Sequence, residues 1–346
     1  MEGAPDGDGT GRSWMVQMMN RPVILLFGMP RSGTTWIGKI FDSHPETLYR
    51  HEPDSYLPLE GVPLLISGEG ETYSEQLRRY VIRLIGCRAP VVTTKRPLFR
   101  KRYLPLHRDL AYRTSVYLSV AFGRLDRRFQ LATFNPLGGR KGNDIALVWK
   151  SIESLGRLGA FSGCLPFCRG VHIVRHPCGY VNSILKGEEQ ARFFNEIRAS
   201  EGYRVFEKLL RTETGRGYGL TLEGLKALTP IERLAWRWVL FNEHAMRETA
   251  ARENCMTVRY EDLCLDPEGV TRQLFVFCGL EWNRQTAAFL RRSTQGKDGA
   301  SYYGVVRDPR QAAFQWREQL NEEQIEAVHS VTRASRLGAL YQDMEE

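Results

Sequence analysis

The sequence lacks an apolar run of the length needed to cross a bilayer. Its apolar stretch Val23–Phe27 has five residues, whereas a membrane-spanning helix needs about 20. No secretory signal is visible in the first 20 residues, which are rich in Gly and Asp and are expected to form a disordered leader. From these absences we expect no membrane span and a cytoplasmic protein.

Metal-ligand spacing and internal repeats are also missing. The seven cysteines are an odd number, and Cys164 and Cys168 have no matching second pair. A zinc site that added His172 and His176 is disfavoured, because His172 falls inside an apolar, strand-like segment. We therefore expect buried free thiols in a reducing compartment and no bound metal.

The composition is that of a soluble globular protein with a basic excess. Of 346 residues, 42% are apolar and 25% are charged, and the formal net charge is +8 with a pI of about 9.2. Such a balance favours anionic ligands, although each arginine cluster alone is typical of a solvated surface. No helix-turn-helix pattern and no RNA-binding aromatic signature is present, so we expect no nucleic-acid partner.

Strand-like and helix-like patterns alternate along the chain. The strand-like runs are Pro22–Phe27, Ile145–Trp149, Gly170–Arg175 and Thr257–Tyr260. Pro22–Phe27 is apolar without alternation, as in a strand buried on both faces, and Ile145–Trp149 and Gly170–Arg175 are expected to be buried as well. Helical patterns cover 34–43, 179–185, 230–252, 267–278 and 319–342. This order predicts an α/β fold with a three-layer, doubly wound parallel sheet. We expect one domain over 21–346, with helical insertions near 53–140 and 186–230.

A glycine loop, Gly28–Trp36, links the first strand to the first helix. The unpaired N–H groups and the dipole of a helix start make such a loop an anion site. Gly28 and Gly33 have the spacing of the G-x-x-x-x-G-K-[ST] loop, but Thr34 occupies the lysine position and the cation is Arg31. A kinase needs that lysine and a magnesium ion. The loop is better suited to one 5′-phosphate that carries a charged group.

A second anion site is indicated by Arg175 and Ser183. Arg175 ends the third strand and Ser183 lies on the following helix, so that two donors converge on one anion. Alone, this Arg-His-Pro sequence could equally cap a helix. Combined with the glycine loop, it predicts a ligand with two phosphates.

These motifs together resemble those of the PAPS-dependent sulfotransferase family, where PAPS is 3′-phosphoadenosine-5′-phosphosulfate. Pro30–Trp36 resembles the family's 5′-phosphosulfate loop, Val171–Ser183 its 3′-phosphate motif, and Arg259–Leu263 its YEDL stretch. The resemblance implies the sulfotransferase version of the P-loop NTPase-like fold. It also implies in-line transfer of a sulfuryl group from PAPS to a hydroxyl or amine, leaving adenosine 3′,5′-bisphosphate, without a metal. The implied PAPS contacts are Arg31, Ser32, Gly33, Thr34, Thr35 and Trp36 at the 5′ end, Arg175, Ser183 and Arg307 at the 3′-phosphate, and Tyr260 beside the adenine.

The resemblance also implies the catalytic residues. Arg31 stands where cytosolic small-molecule enzymes carry lysine, so the loop is more similar to the tyrosylprotein, carbohydrate and bacterial branches. The segment 42–54 resembles the tyrosylprotein branch, whose catalytic glutamate falls on Glu52. Lys150 matches a lysine that holds the bridging oxygen or the sulfuryl group. Cytosolic enzymes have a catalytic histidine two residues later, where this chain has Ile152.

Several alternatives remain open at this level. His51 and Glu153 compete with Glu52 as the general base. The acceptor is expected to be a small molecule, with carbohydrates, phenols, lipid head groups and peptide tyrosines all compatible with the sequence, and no oligomeric state is indicated. A P-loop small-molecule kinase and a non-catalytic, basic polyanion-binding protein are the alternative functions.

Overall fold

A five-stranded parallel sheet forms the centre of the protein. The computed structural model describes residues 21–68, 70–125, 145–189, 198–295 and 308–344, so the expected leader over 1–20 lies outside the described residues. The strands pair in the order β2-β3-β1-β4-β5, and every pair is parallel. They are Val23–Gly28 (β1), Thr47–His51 (β2), Ala146–Ser151 (β3), Cys168–Val174 (β4) and Cys255–Arg259 (β5).

Helices connect the strands and cover both faces of the sheet. On β1, Ile24 and Leu26 belong to one core cluster and Leu25 and Phe27 to the other, and all four are fully buried. A strand with two apolar faces must be covered on both sides, which explains why its apolar residues do not alternate with polar ones. The predicted α/β fold with a three-layer parallel sheet is confirmed.

The helices of the described residues begin and end as follows. In chain order they are Thr34–Asp42 (α1), Pro53–Tyr56 (α2), Ser74–Gly86 (α3), Pro90–Thr93 (α4), Leu106–Leu125 (α5), Leu158–Cys164 (α6), Pro177–Glu189 (α7), Tyr203–Leu210 (α8), Glu213–Gly217 (α9), Leu222–Ala227 (α10), Pro230–Thr249 (α11), Tyr260–Leu265 (α12), Pro267–Phe277 (α13), Arg284–Thr294 (α14), Pro309–Phe314 (α15), Trp316–Gln319 (α16) and Glu322–Thr332 (α17). Short 3₁₀ turns lie at Gly70–Tyr73, Leu155–Arg157, Ala199–Glu201 and Gly338–Met344.

Strand β2 was not expected from the sequence. Its residues Thr47–His51 are all buried, including Arg50, which is 2% exposed. The Arg50 guanidinium donates hydrogen bonds to the carbonyl oxygens of Leu84 (2.7 Å) and Ile85 (2.9 Å) at the end of α3. The carbonyls of the last helical turn are short of backbone donors, and only that of Leu84 also accepts the Cys87 N–H (3.3 Å). Because the hydrogen-bond acceptors of Arg50 lie in a helix more than 30 residues away in sequence, the residues around Arg50 do not show the apolar pattern of a buried strand.

The chain end differs from the expected continuous helix over 319–342. Helix α17 ends at Thr332, and a 3₁₀ turn follows from Gly338. Ser335 N–H donates to the Thr332 carbonyl (2.9 Å), and Gly338 N–H donates to Ser335 Oγ (2.8 Å). A side chain on Gly338 would lie 2.0 Å from the Thr332 carbonyl oxygen. The tight turn therefore requires glycine, and the helix expected over 319–342 is interrupted at 333–337.

Candidate active site

The glycine loop lies between β1 and α1, at the carboxyl end of the central strand. Gly33 is the N-cap of α1 and has a φ of +76°. A Cβ on Gly33 would lie 2.1 Å from Cδ2 of Tyr260, and one on Gly28 would lie 2.5 Å from the carbonyl oxygen of Ile173. Both glycines are therefore required by close packing. The first N–H groups of α1 have no acceptor within the helix and are available to an anion at this position.

The two predicted phosphate-binding elements touch each other. Arg31 Nε donates a hydrogen bond to Ser183 Oγ (2.9 Å), and Arg175 donates to the backbone carbonyl of Arg31 (2.9 Å). Arg175 also donates to the carbonyl of Ala312 (2.7 Å), while its buried Nε has no hydrogen-bond partner among the described residues. The Arg175–Ser183 pair is thus adjacent to the glycine loop.

The two aromatic residues assigned to the adenine are buried in the protein core. Trp36 is 6% exposed and its indole N–H donates to Ser293 Oγ (3.1 Å). Tyr260 is fully buried, its ring meets Trp36 edge-on at 6.4 Å, and the Arg175 guanidinium lies 5.2 Å from its centroid. These contacts give both rings a structural role, and their role toward adenine stays a prediction.

Lys150 and Glu52 form an ion pair at the carboxyl ends of neighbouring strands. Lys150 lies on β3 opposite His51 of β2, and the Glu52 N–H donates to the Lys150 carbonyl (2.8 Å). The Lys150 side chain is 1% exposed and its ammonium donates to Glu52 Oε1, whose carboxylate is 25% exposed. Burial lowers the pKa of Lys150, and the Glu52 charge opposes that shift. Sequence reasoning named both residues separately, and the structure brings them together.

Arg31 and Glu52 share an uncommon backbone conformation. They are the non-glycine residues with positive φ in the described part of the chain, at +73° and +45°. Such a conformation is unfavourable for a residue with a Cβ, and it persists where the surrounding structure enforces it, often at functional sites. The two strained residues are thus two of the three that the resemblance implies as catalytic.

The two rival bases are less suited to the role than Glu52, His51 because of its pKa and Glu153 because of its position. Burial first, and then the Lys150 charge, lower the pKa of His51 to about 2. An imidazole of so low a pKa is a weak base at neutral pH. Glu153 follows the end of β3, and burial together with the charges of Asp54 and Glu52 raises its pKa. Glu153 does not line the cavity beside Glu52.

Two buried hydroxyls fix the turn that follows Lys150. The Ser151 and Ser154 side chains both donate to the Asp54 carboxylate at the start of α2, with 2.6 Å for Ser154. Ser151 Oγ in turn accepts the backbone N–H groups of Glu153 and Ser154, both at 2.9 Å. This network joins the end of β3 to the segment after Glu52, so that it holds the ion pair in place.

A cavity of about 440 Å³ opens beside the ion pair. Its lining combines the end of β2 with α4 and the loop after it, and consists of His51, Glu52, Ser55, Tyr56, Pro90, Val91, Thr94, Lys95 and Arg96. The charge of Lys95 contributes to the lowered pKa values of His51 and Lys150. The lining residues 90–96 lie in the insertion 53–140, which together with 186–230 was expected from the sequence to shape the acceptor pocket, although no motif singles them out.

Some predicted features are not placed in the site. Arg307 lies outside the described residues. Of the imagined zinc ligands, His172 bonds Asn242 (3.0 Å) and His176 stacks on Trp316, with ring centroids 4.4 Å apart. Within the ranges that the structure describes, no three His, Cys, Asp or Glu side chains are grouped as metal ligands would be. In the same ranges, no helix is both long and apolar enough to cross a membrane.

Comparisons with known proteins identify the family. The model of the "Sulfotransferase family" matches residues 22–284, and that of the "Sulfotransferase domain" matches 237–345. Carbohydrate sulfotransferase 7 of Rattus norvegicus is 24% identical over 355 residues, covering 87% of this chain and 70% of that protein. Carbohydrate sulfotransferase 2 of Homo sapiens is 24% identical over 358 residues, covering 94% of this chain and 66% of that protein.

Two sulfotransferases are among the solved structures that match this chain. The sulfotransferase domain from the curacin biosynthetic pathway has a TM-score of 0.40 and 15% identity, with 90% of this chain and 96% of that one covered. Mouse sulfotransferase SULT7A1, complexed with PAP, has a TM-score of 0.40 and 12% identity, with 95% and 92% covered.

The chain belongs to the sulfotransferase family, because the family model spans most of its length. The predicted enzyme class, transfer of a sulfuryl group from PAPS to an acceptor, is confirmed at the level of the family. The assignment of individual site residues, the single-domain organisation and the cytoplasmic location stay predictions.

Proposed function

We propose that this enzyme transfers the sulfuryl group of PAPS to a hydroxyl group of a carbohydrate, with Glu52 as the general base. The observation that carries the proposal is the positive φ of Arg31 and Glu52. These two residues follow β1 and β2, the strands on either side of β3, which carries the buried Lys150. The names of the relatives support a carbohydrate acceptor. A cytoplasmic location of the reaction is part of the proposal, as the sequence suggested.

The residues present fit a bisphosphorylated nucleotide. The N–H groups at the start of α1 and the Arg31 guanidinium suit the 5′-phosphosulfate. Arg175 and Ser183 suit the 3′-phosphate, and the buried Arg175 Nε without a partner is a donor ready for it. PAPS would supply the sulfuryl group and a phosphate leaving group. The other steps depend on the side chains of this chain.

The Lys150–Glu52 pair supplies a general base and a cation that stabilises negative charge. The Glu52 carboxylate takes the proton of the acceptor hydroxyl while that oxygen bonds to sulfur and the bond from sulfur to the 5′-phosphate oxygen breaks. Lys150 and Arg31 stabilise the negative charge that develops on the transferred group and the leaving phosphate. The products are the sulfate ester, adenosine 3′,5′-bisphosphate and a proton on Glu52.

The cavity beside Glu52 is the proposed acceptor site. It is bounded on one side by the base and on the other by Lys95 and Arg96, and its 440 Å³ is of the size of small-ligand sites. His51 is held neutral and its Nδ1 lies 3.0 Å from the Tyr49 hydroxyl. We assign His51 to packing at the cavity wall.

The test is transfer of radiolabelled sulfate from PAPS to a panel of neutral and acidic oligosaccharides, phenols and peptides. We expect labelling of an oligosaccharide by the wild type and loss of labelling with Arg31→Ala. Calorimetry with adenosine 3′,5′-bisphosphate should show weaker binding for Ser183→Ala, because Arg31 Nε loses its acceptor. Labelling of phenols or peptides alone would contradict the carbohydrate assignment. Unchanged affinity in Ser183→Ala would contradict the 3′-phosphate site.

A further inference from the structure

Helix α5 presents an apolar face to the solvent. Its inner side is formed by Asp109 (3% exposed) and Val116 (fully buried), and Tyr112 donates a hydrogen bond to the Thr93 carbonyl of α4 (3.0 Å). The large apolar side chains lie on the opposite side. They are Leu106 (66% exposed), Leu110 (65%), Tyr117 (51%), Leu118 (47%) and Phe122 (46%).

This arrangement reverses the usual orientation of a surface helix. At 3.6 residues per turn, the five apolar side chains cover a sector of about 160° that is centred roughly opposite Asp109 and Val116. Arg108 and Arg113 flank the two edges of that sector. An extended apolar face on the surface of a soluble protein marks an interaction site. Leaving it in water is unfavourable, so that it requires a partner with an apolar layer.

The surrounding segment is strongly basic. Residues 76–125 contain twelve Lys and Arg and a single acid, Asp109, although the whole chain has a net charge of only +8. Four of these cations are paired with acids: Arg113 with Asp109, Arg79 with Glu75, Lys101 with Asp42 and Arg102 with Glu46. The remaining Lys and Arg residues keep the segment basic. A partner must therefore offer negative charge together with an apolar layer. An acidic glycan or a nucleic acid offers the first property only.

We propose that α5 and the basic segment 76–125 dock on an anionic membrane surface. The outward face of α5 would enter the boundary between lipid head groups and acyl chains, while Arg108, exposed at one edge of that face, binds a lipid phosphate. The proposal is independent of the acceptor's identity. Helix α4 lines the cavity beside Glu52 through the exposed Val91 (58%) and is joined to the inner side of α5 by the Tyr112–Thr93 hydrogen bond, so the docking helix is a neighbour of the cavity wall.

The test is sedimentation of the whole protein with vesicles of phosphatidylcholine, with and without phosphatidylglycerol. We expect binding to the anionic vesicles that weakens as salt is raised. The double variant Leu106→Glu with Leu110→Glu should weaken it by about tenfold or more, because two apolar side chains are lost and two negative charges are added.

A matched control uses apolar side chains elsewhere on the surface. Val276 on α13 (81% exposed) and Phe167 before β4 (55%) are also exposed. Changing both to glutamate adds the same two negative charges as the α5 variant but leaves α5 intact. Vesicle binding should therefore fall only by the effect of the two charges, to within about twofold. Transfer to a water-soluble acceptor should be unchanged in both double variants.

Three outcomes would overturn the proposal. The first is equal vesicle binding by the α5 variant and the wild type. The second is a wild-type dimer in light scattering that becomes a monomer in the variant, since a second copy would then cover the face. The third is a large loss of thermal stability in the α5 variant, which would show that the face is buried within the chain.

Discussion

Replacing Glu52 by glutamine tests the proposed base and the ion pair together. The substitution keeps the shape of the side chain but removes the proton acceptor, whose contribution is about 10²–10⁴-fold in rate. We therefore expect kcat to fall by about that factor, while the affinity for adenosine 3′,5′-bisphosphate changes little.

The same change leaves the Lys150 ammonium without its charged partner. Lys150 is 1% exposed, whereas the Glu52 carboxylate is 25% exposed and partly solvated. For a hydrogen bond to a charged group we expect a loss of about 1–3 kcal/mol in the free energy of unfolding. Burial already lowers the pKa of Lys150, and loss of the Glu52 charge lowers it further. The residual kcat should then decline at a lower pH than in the wild type, because Lys150 loses its proton earlier as the pH rises.

The assay is initial-rate sulfate transfer from PAPS between about pH 5.5 and pH 9. This range is chosen because burial can bring the pKa of a lysine into it. Glu60→Gln is the matched control, because Glu60 is exposed on the following loop and should leave kcat unchanged. The reasoning is refuted if Glu52→Gln keeps more than about a tenth of the wild-type kcat. Such a fall is smaller than the roughly hundredfold fall that is the least expected from loss of a general base.

Three further predictions follow from the same geometry. Gly33→Ala should abolish donor binding in calorimetry, because its Cβ would lie 2.1 Å from the Tyr260 ring; Gly61→Ala has a similar φ (+71°) with no atom within 4 Å and should bind normally. His51→Gln should leave the pH–rate profile between pH 5 and 8 unchanged, because the His51 pKa is about 2; loss of one limb of the profile would contradict this. Burial raises the pKa of Glu261 to about 7, above its value of about 4.5 in the unfolded chain, so the folded state holds a proton that the unfolded state releases. Stability should therefore decline from pH 4.5 to 7, by about 3 kcal/mol at most, and Glu261→Gln should flatten this slope in urea unfolding.

The sequence predicts most of the sheet because buried parallel strands have a local signature. The strands β1, β3 and β4 read as continuous apolar runs, and their ends differ from the expected ones by one or two residues. Strand β2 has no such signature, since its Arg50 is satisfied only through the end of α3. A pattern that depends on a distant partner cannot be found locally.

The candidate site shows the same division. The glycine loop is recognisable because its residue spacing and its context, a strand before and a helix after, are both local. The contacts of Arg31 with Ser183 and of Lys150 with Glu52 are not local, since they depend on which strands are neighbours in the sheet. For the same reason, the sequence assigned the acceptor pocket to the long insertion 53–140 but did not single out its residues 90–96.

The strand order has a consequence for how the protein is made. β3 lies between β1 and β2, although it follows both in the chain, and Lys150 and Glu52 are 98 residues apart in sequence. While the ribosome is still synthesising the segment between them, β1 and β2 have no middle strand through which to join. The apolar strand β1 and the more polar strand β2 remain without their common neighbour until β3 emerges, and contacts of such long sequence separation form slowly. A half-made chain therefore holds the phosphate loop without its catalytic pair, and a chaperone that shields β1 should raise the yield of active enzyme.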